Sequence, residues 1–456
     1  MERRPYGAFA IYDMRRWWPI LVVPVLRLLS PRGYADPRTV IRDMLLCTFF
    51  MGYSVCKWRY SRYRLTGSGD GRLYSIGVRQ GILVRHALHI DAADAASVEI
   101  ECTPLLWLCG GRRVRVNTAG LRRRADAILY VSARQARELF VLKNGKSGRY
   151  RAQVWPVLVM AVCGSNAAVG LLTAVPVLYR IGNLIGEQLT PDAAGVVRQL
   201  LNAQIPAALR STAHLLMLGW GVSAVNNFLR YIGFYATADR GRLHLVSGLF
   251  TRRDVLLDRD KITAVELRQT VLMRLLHLHT AVITAAGYGR DIGARPVLIP
   301  AADPRSLCEG LERLLPQYPL KNGRIKPMRR AWVRYMVAPF ALFALGSALW
   351  LVGGVWQVPA LVIWLWSGWW FAVRFLGFFA AGFGADATAV TIWYPRGLAL
   401  YRVYLPREVV DYVQVTQSVW QKRRGMCTVT VRCFGEKKRR HRVRGLPYDA
   451  VSYEIL

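Results

Sequence analysis

The sequence predicts an α+β integral membrane protein, built as three repeats of a transmembrane helix pair followed by a small antiparallel β module with a closing helix. Three observations lead there. Of the 456 residues 53% are hydrophobic and 15 are Trp, with a mean hydropathy of +0.20, which is too apolar for an ordinary soluble chain. The formal net charge is nevertheless +35, so the basic residues must concentrate outside the apolar runs. Finally, one stretch of the chain recurs with its landmarks in order.

The clearest copy runs from Gly241 to Gly287. A strand ends at Gly248, then come Arg252 and Arg253, the apolar run Val255 to Leu257, the element QTVLMRLLHL, and a strand AVITAAG that stops at Gly287. Upstream, Gly81 opens a run to Arg85, followed by LHID, TPLLWLCGG and VRVNTAG ending at Gly120. Gly81 and Gly120 are as far apart as Gly248 and Gly287, without a gap. A more diverged copy runs from Gly397 through YRVYLP and QSVWQKRRG to VTVRCFG at Gly435, one residue shorter. Such self-similarity decides the architecture before any residue chemistry does.

Residues 1–62 are the first helix pair. The N-terminus has a basic region before an apolar one, but Arg27 interrupts the run and no small-residue cleavage site follows, so it is not read as a secretory signal. Trp17 to Leu29 is short, either a tilted span or a segment lying in the interface. Arg38 to Trp58 is the better span and leaves through the basic exit Lys57 to Arg64. The first module, 63–150, begins with the loop Gly67 to Gly71, which lacks the Lys and Ser or Thr of a phosphate-binding loop. Alternating runs such as ILVRHALHI and VRVNT supply its strands. Ser132 and Gln135 have capping-box spacing and start its closing helix.

The second helix pair, 151–232, contains the uncharged run Val154 to Tyr179 and a returning span, Ser211 to Leu229. Between them Thr190 and Pro191 signal a short surface helix, and His214 is placed near the interface. The second module, 233–320, ends in a helix capped by Asp303 with Pro304 in its first turn. The third pair, 321–383, holds Tyr335 to Val373 without a charged side chain, enough for two spans of ~20 residues across a ~30 Å hydrocarbon core. Gly353, Gly354 and Pro359 mark its turn. The third module, 384–456, has only LPYDAVSYEIL for a closing helix.

Two spans before each module return the chain to the side it left, so all three modules share one side. The linkers Lys57 to Arg64, Lys143 to Arg151 and Lys321 to Arg334 are strongly basic, while two of the opposite turns are poor in Lys and Arg. The first opposite loop is the exception, with Arg32 and Arg38 against Asp36. The positive-inside bias therefore places the modules on the cytoplasmic side of the membrane. With spans present, lipid and topology explain the charge, and nucleic acid is not expected as a partner.

The repeated unit, with its G-[LI]-x-x-R start, its QTVLMRLLHL-like middle and its V-x-V-x-T-A-G end after a hydrophobic helix pair, resembles the bacterial membrane-flanked pleckstrin-homology-like (PH-like) domain family. The three-copy arrangement is similar to the long YdbT-type members. The resemblance covers nearly the whole chain. It implies in each copy a PH-like antiparallel β-sandwich or partly open barrel of about seven strands, capped by a C-terminal helix. It also implies a smaller single-domain membrane partner of the YdbS type and, for some members, a part in resistance to membrane-active peptides and bacteriocins. The third copy departs from the pattern, with Cys433 and Phe434 in place of Thr-Ala and a short closing helix.

Catalysis needs a nucleophile with a base, paired carboxylates or metal ligands in register, and the sequence assembles none of these. The eight cysteines form no CxxC, and no Cys and His cluster has zinc spacing, so they are read as reduced, buried thiols. His277 and His279, two apart, are read as packing or surface residues on one strand face. Neither a cofactor nor a metal is expected. What remains is basic surface: Arg112 and Arg113; Arg122, Arg123 and Arg124; Arg252 and Arg253; Lys422, Arg423 and Arg424; and Lys437, Lys438, Arg439 and Arg440. Beside an anionic leaflet each contributes roughly 1 kcal/mol. They either grip anionic phospholipid headgroups or are solvated charge that obeys the topology bias. The leading reading is a non-enzymatic envelope-protection or scaffold protein whose modules bind lipid or a partner protein. The rival is a transporter or lipid exporter using the six helices, for which Asn226 and Asn227 leave room.

Overall fold

The computed structural model describes residues 3–14, 17, 37–67, 73–82, 85–91, 94–118, 127–139, 148–164, 207–239, 241–285, 296–318, 324–353, 356–396, 399–433 and 440–455. In chain order these hold α1 (Ala8–Met14), α2 (Pro37–Tyr60), β1 (Arg62–Gly67), β2 (Leu73–Gln80), β3 (His86–Asp91), β4 (Ala95–Cys102), α3 (Pro104–Leu108), β5 (Gly111–Thr118), β6 (Ala127–Ser132) and α4 (Ala133–Leu139). Next come β7 (Arg149–Arg151), α5 (Val154–Gly164), α6 (Ala207–Tyr231), β8 (Tyr235–Asp239), β9 (Arg242–Ser247), β10 (Arg252–Asp258), β11 (Ile262–Thr270), α7 (Val271–Leu275), β12 (His279–Ala285), β13 (Val297–Ala302) and α8 (Pro304–Leu314). The last part has α9 (Trp332–Val352), α10 (Gln357–Ala380), β14 (Gly382–Ala385), β15 (Ala389–Arg396), β16 (Ala399–Pro406), β17 (Val410–Thr416), α11 (Val419–Lys422), β18 (Met426–Cys433), β19 (Arg440–Pro447) and α12 (Tyr448–Ile455).

The chain forms two compact units, the first from Met1–Gly148, Thr237–Lys261 and Ala285–Arg295, the second from the remainder. In the first unit the antiparallel sheet β1-β2-β3 faces strands β4, β5 and β6. Alternate positions turn Tyr63, Ile76, Val78 and Ile90 against Ile100, Val114, Val116 and Leu129, and Ala136 of α4 closes the core. Burying each large apolar side chain contributes about 1.5–3 kcal/mol. The N-terminal segment folds onto this module. Phe9 and Tyr12 of α1 bury against Leu106 and Tyr130, Lys57 Nζ reaches Asp13 Oδ1 at 2.7 Å, and Trp58 Nε1 donates to the Pro5 carbonyl.

In the second unit the sheet β17-β18-β19 faces β14, β15 and β16. Phe383, Ile392, Val403 and Leu405 meet Val429, Val431, Val443 and Leu446, with Val451 of α12 closing the core. Inside it Tyr394 Oη and His441 Nδ1 share a 2.8 Å hydrogen bond, and His441 Nε2 lies 3.9 Å from Cys433 Sγ.

Each segment of six strands is divided between sheets instead of closing on itself. In the first unit β4 pairs antiparallel with β10, so the sheet continues from β6-β5-β4 into β10-β9-β8. In the second unit β11 pairs with β16, joining β13-β12-β11 to β16-β15-β14. The physical reason is the edge: each three-strand half ends in unpaired N–H and C=O groups, and pairing with the neighbouring half satisfies them.

Among the described residues two helices are long and apolar enough to cross a membrane, Arg38–Tyr60 and Arg329–Val352. Only 11% and 22% of these stretches is buried, whereas a core helix of a soluble domain would be mostly covered. Met44, Leu45, Phe49, Val337 and Leu351 are exposed, an uncovered apolar surface suited to hydrocarbon. The protein is membrane-associated. The helices α9 and α10 form the hairpin read from Tyr335 to Val373, with Trp364 stacked on Trp350 and hydrogen-bonded to Ser347. Gly353, at φ 73°, turns the chain, and Pro359 sits in the first turn of α10 instead of in the connection. Trp18 to Leu29, the second half of the run Val154 to Tyr179, and Thr190 with Pro191 lie outside the described residues.

Candidate functional site

Two kinds of basic position emerge from the joined sheet of the first unit. Register sets Arg113 opposite Glu101 and Glu101 opposite Arg253, across β5, β4 and β10. Arg113 Nη1 lies 3.3 Å from Glu101 Oε2 and Arg253 Nη2 lies 3.8 Å from Glu101 Oε1. Arg115 reaches both Glu101, at 3.4 Å, and Glu99, at 3.9 Å. Both glutamates are buried. Burial pushes the Glu99 carboxyl above its ordinary value, opposed by Arg115 and Arg253 and reinforced by Glu101. Tyr12 of α1 completes the face, its ring 5.5 Å from the Arg113 guanidinium. Arg113 and Arg253 thus neutralise carboxylates within the sheet.

One residue along, strand alternation turns Arg112 and Arg252 to the other face, on either side of Cys102. They line a cleft of about 780 Å³ with Trp107, Leu249 and Phe250. Burial raises the Cys102 thiol pKa, with Arg112 and Arg252 lowering it and Asp254 raising it. It is therefore not an activated nucleophile.

A local device recurs beside these residues. Thr103, Thr270 and Ser418 cap α3, α7 and α11, each side chain accepting from the backbone N–H three residues on. That third residue, Leu106, Met273 or Gln421, is buried and anchors the turn. The neighbours point outward: Trp107 is 67% exposed, Leu108 79%, Leu275 75% and Trp420 72%. Basic residues accompany each turn, Arg112 after α3, Arg274 within α7, and the exposed Lys422, Arg423 and Arg424 at the end of α11. In the second unit Met273 packs against Val159 and Met160 of α5 and Tyr231 of α6. These α5 residues lie roughly 8–9 Å along the helix at 1.5 Å per residue, beyond the basic linker residues Arg149 and Arg151.

Of the basic residues nominated by sequence, the fold brings Arg112 and Arg113 of β5 and Arg252 and Arg253 of β10 to the two sides of β4. Lys422, Arg423 and Arg424 sit together at α11, and Arg440 starts β19 opposite Arg432, exposed. Arg122, Arg123, Arg124, Lys437, Lys438 and Arg439 lie outside the described residues. Sequence reasoning missed the exposed apolar side chains of the capped turns, although TPLLW, TVLMR and SVWQK already show the Thr or Ser cap before them. The shared strand face expected for His277 and His279 is not formed, while their reading as surface or packing residues agrees with an exposed His277 and a half-buried His279. His277 has a left-handed φ of 55° in the turn after α7, and only His279 is on β12. Among the described residues no group of three or more His, Cys, Asp or Glu is placed to hold a metal ion.

Antiparallel half-sheets closed by helices, preceded by apolar helices and lacking an assembled catalytic cluster among the described residues, define a membrane-associated module protein. The family described as Bacterial PH domain matches residues 193–315 and 340–452. These matches cover just over half of the sequence, and the chain belongs to that family. Each takes in helical sequence before the strands, α6 in the first and most of the α9–α10 hairpin in the second. Over 133 residues the chain is 26% identical to the UPF0699 transmembrane protein YdbT of Bacillus subtilis (strain 168), covering 28% of this chain and 27% of that relative. The chain thus matches about a quarter of the relative's length. No solved structure matches.

Proposed function

We propose that this chain is a multi-pass protein of the bacterial cytoplasmic membrane, with three helix pairs and three cytoplasmic PH-like modules that bind anionic phospholipid headgroups. Its role on this reading is non-enzymatic: a scaffold in envelope protection against membrane-active peptides or bacteriocins, working with a smaller single-domain partner of the YdbS type. The observation that carries the reading is the capped turn. Exposed Trp and Leu side chains beside basic residues occur at α3, α7 and α11, the composition of a surface that dips into an anionic interface. The packing of α7 beside α5, past the basic linker, supports the same placement. The net charge of +35 and the basic linkers support the cytoplasmic side.

The test uses the full chain extracted from its membrane in polymer-bounded nanodiscs. Anionic lipid should be enriched over the bulk membrane. Trp420→Ser with Lys422→Glu, Arg423→Glu and Arg424→Glu should reduce the enrichment, and an unchanged lipid composition overturns the reading. A deletion strain should become sensitive to membrane-active peptides with its lipid leaflets unaltered. Accumulation of a lipid on one leaflet would move the function to the helices as a transport pathway.

A further inference from the structure

The cleft of the first unit is more selective than a flat basic surface. Its floor is apolar and closed, from the buried Ile100 and Ala136, and its rim carries the exposed Trp107, Leu249 and Phe250. Polar groups are few: Arg112 and Arg252 on either side of Cys102, with Asp254 and His244. Arg252 Nε lies 3.4 Å from Asp254 Oδ1, which orients its fork, and Arg112 Nη1 donates to the Gly111 carbonyl at 2.8 Å. A guanidinium presents its N–H donors in a planar fork that matches the geometry of an oxyanion. Burial lowers the His244 pKa, Asp254 opposing and Arg252 adding to the effect. At neutral pH the ring is therefore uncharged. Two guanidiniums against one carboxylate leave one positive charge in the lining. Its volume of about 780 Å³ lies within the roughly 300–1,000 Å³ typical of ligand sites.

We infer that this cleft binds one anionic phospholipid, its phosphodiester between Arg112 and Arg252 and the first part of its acyl chains against Trp107, Leu249 and Phe250. The inference rests on the proposed membrane-surface reading and deepens it, from a leaflet held at many points to one lipid taken into a defined site. The phosphodiester carries one negative charge, which matches the lining. The apolar rim gives the lipid an advantage that free phosphate lacks. Because β4 and β5 come from one end of the chain and β9 and β10 from its middle, the site exists only when the two half-sheets are joined.

Delipidated full-length protein in detergent, titrated with dihexanoyl phosphatidylglycerol and followed by native mass spectrometry, tests this. The expected result is one lipid per chain, with dihexanoyl phosphatidylcholine bound more weakly and inorganic phosphate a poor competitor. Arg112→Gln with Arg252→Gln should weaken the adduct about tenfold or more, as loss of charge-assisted hydrogen bonds does. Ala133→Trp, at the cleft wall, should abolish it without altering charge, and Arg313→Gln on α8 serves as the control. If Ala133→Trp does not fold, the arginine pair alone decides. An adduct that survives the cleft variants, or is fully displaced by phosphate, overturns the inference. Persistent anionic enrichment in nanodiscs without any one-to-one adduct removes the cleft and leaves the surface reading standing. Loss of both removes the two together.

Discussion

Arg113 of β5 and Arg253 of β10 come from distant parts of the chain and converge on one carboxylate, that of Glu101, at 3.3 Å and 3.8 Å. Glu101 is buried, so its charge is tolerated because the guanidiniums surround it. Removing it strands Arg113, Arg115 and Arg253 without their shared partner. Glu101→Ala should cost about 3–5 kcal/mol, measured by chemical unfolding of the full chain in detergent. The double variant with Arg113→Ala should cost less than the sum of the singles. Arg113→Gln and Arg253→Gln should lower stability and leave lipid enrichment unchanged, whereas Arg112→Gln and Arg252→Gln should do the reverse.

Glu99 has the opposite balance, because burial outweighs its arginine partners and raises its pKa. The folded protein then keeps this proton at a pH where the unfolded chain, near the ordinary value of about 4.3, has lost it. Stability from this group is full below that value and falls as pH rises through the shifted one. Glu99→Gln should flatten this part of the pH–stability curve and leave the protein at pH 7 as stable as wild type or more so. A clear loss of stability at pH 7 would show that the Arg115 contact outweighs burial.

What was legible in the sequence was local. The capping box at Ser132 and Gln135 forms with both bonds at 3.3 Å, and Asp303 accepts from Ser306 N at the start of α8. The recurring TPLLW, TVLMR and SVWQK segments stood out as landmarks, and they are the capped turns of the candidate site. The pairing of β4 with β10 and of β11 with β16 was not legible. Strand alternation says which face is buried, but not which of several edges a strand will meet. The separation of Arg112 and Arg252 from Arg113 and Arg253 follows from that pairing, so four similar arginines could not be sorted by sequence. His277 shows a further limit: its spacing from His279 fitted a strand, and the turn after α7 takes it out of one.

The caps allow the turns to be tested apart from their surface side chains. Thr103→Ala and Thr270→Ala each remove one side-chain acceptor and should cost about 1 kcal/mol. Ser418→Ala also breaks the reciprocal capping box with Gln421, whose side chain bonds Thr428 at 2.8 Å, so it should cost more. Limited trypsin digestion should reach Arg423 and Arg424 faster in Ser418→Ala than in wild type. Equal cleavage rates would mean that the buried Gln421 holds the turn without its cap.

Gly445 tests how the last module is seated on its helix hairpin. Its φ of 76° is left-handed, its carbonyl accepts from Met328 N at 2.8 Å, and a Cβ there would overlap the side chain of Ala331. One residue away, Tyr335 Oη donates to the Arg444 carbonyl at 3.1 Å. The start of α9 and strand β19 therefore touch through backbone with no room for a side chain. Gly445→Ala should cost about 2 kcal/mol or more, combining the left-handed penalty with overpacking. Adding Ala331→Gly removes the overlap but not the backbone penalty, and should restore stability to within about 1–2 kcal/mol of wild type. Unfolding of both variants in detergent separates the two contributions. A double variant no more stable than Gly445→Ala would mean that the seating depends on the Met328 and Tyr335 hydrogen bonds, with steric fit at Ala331 contributing nothing.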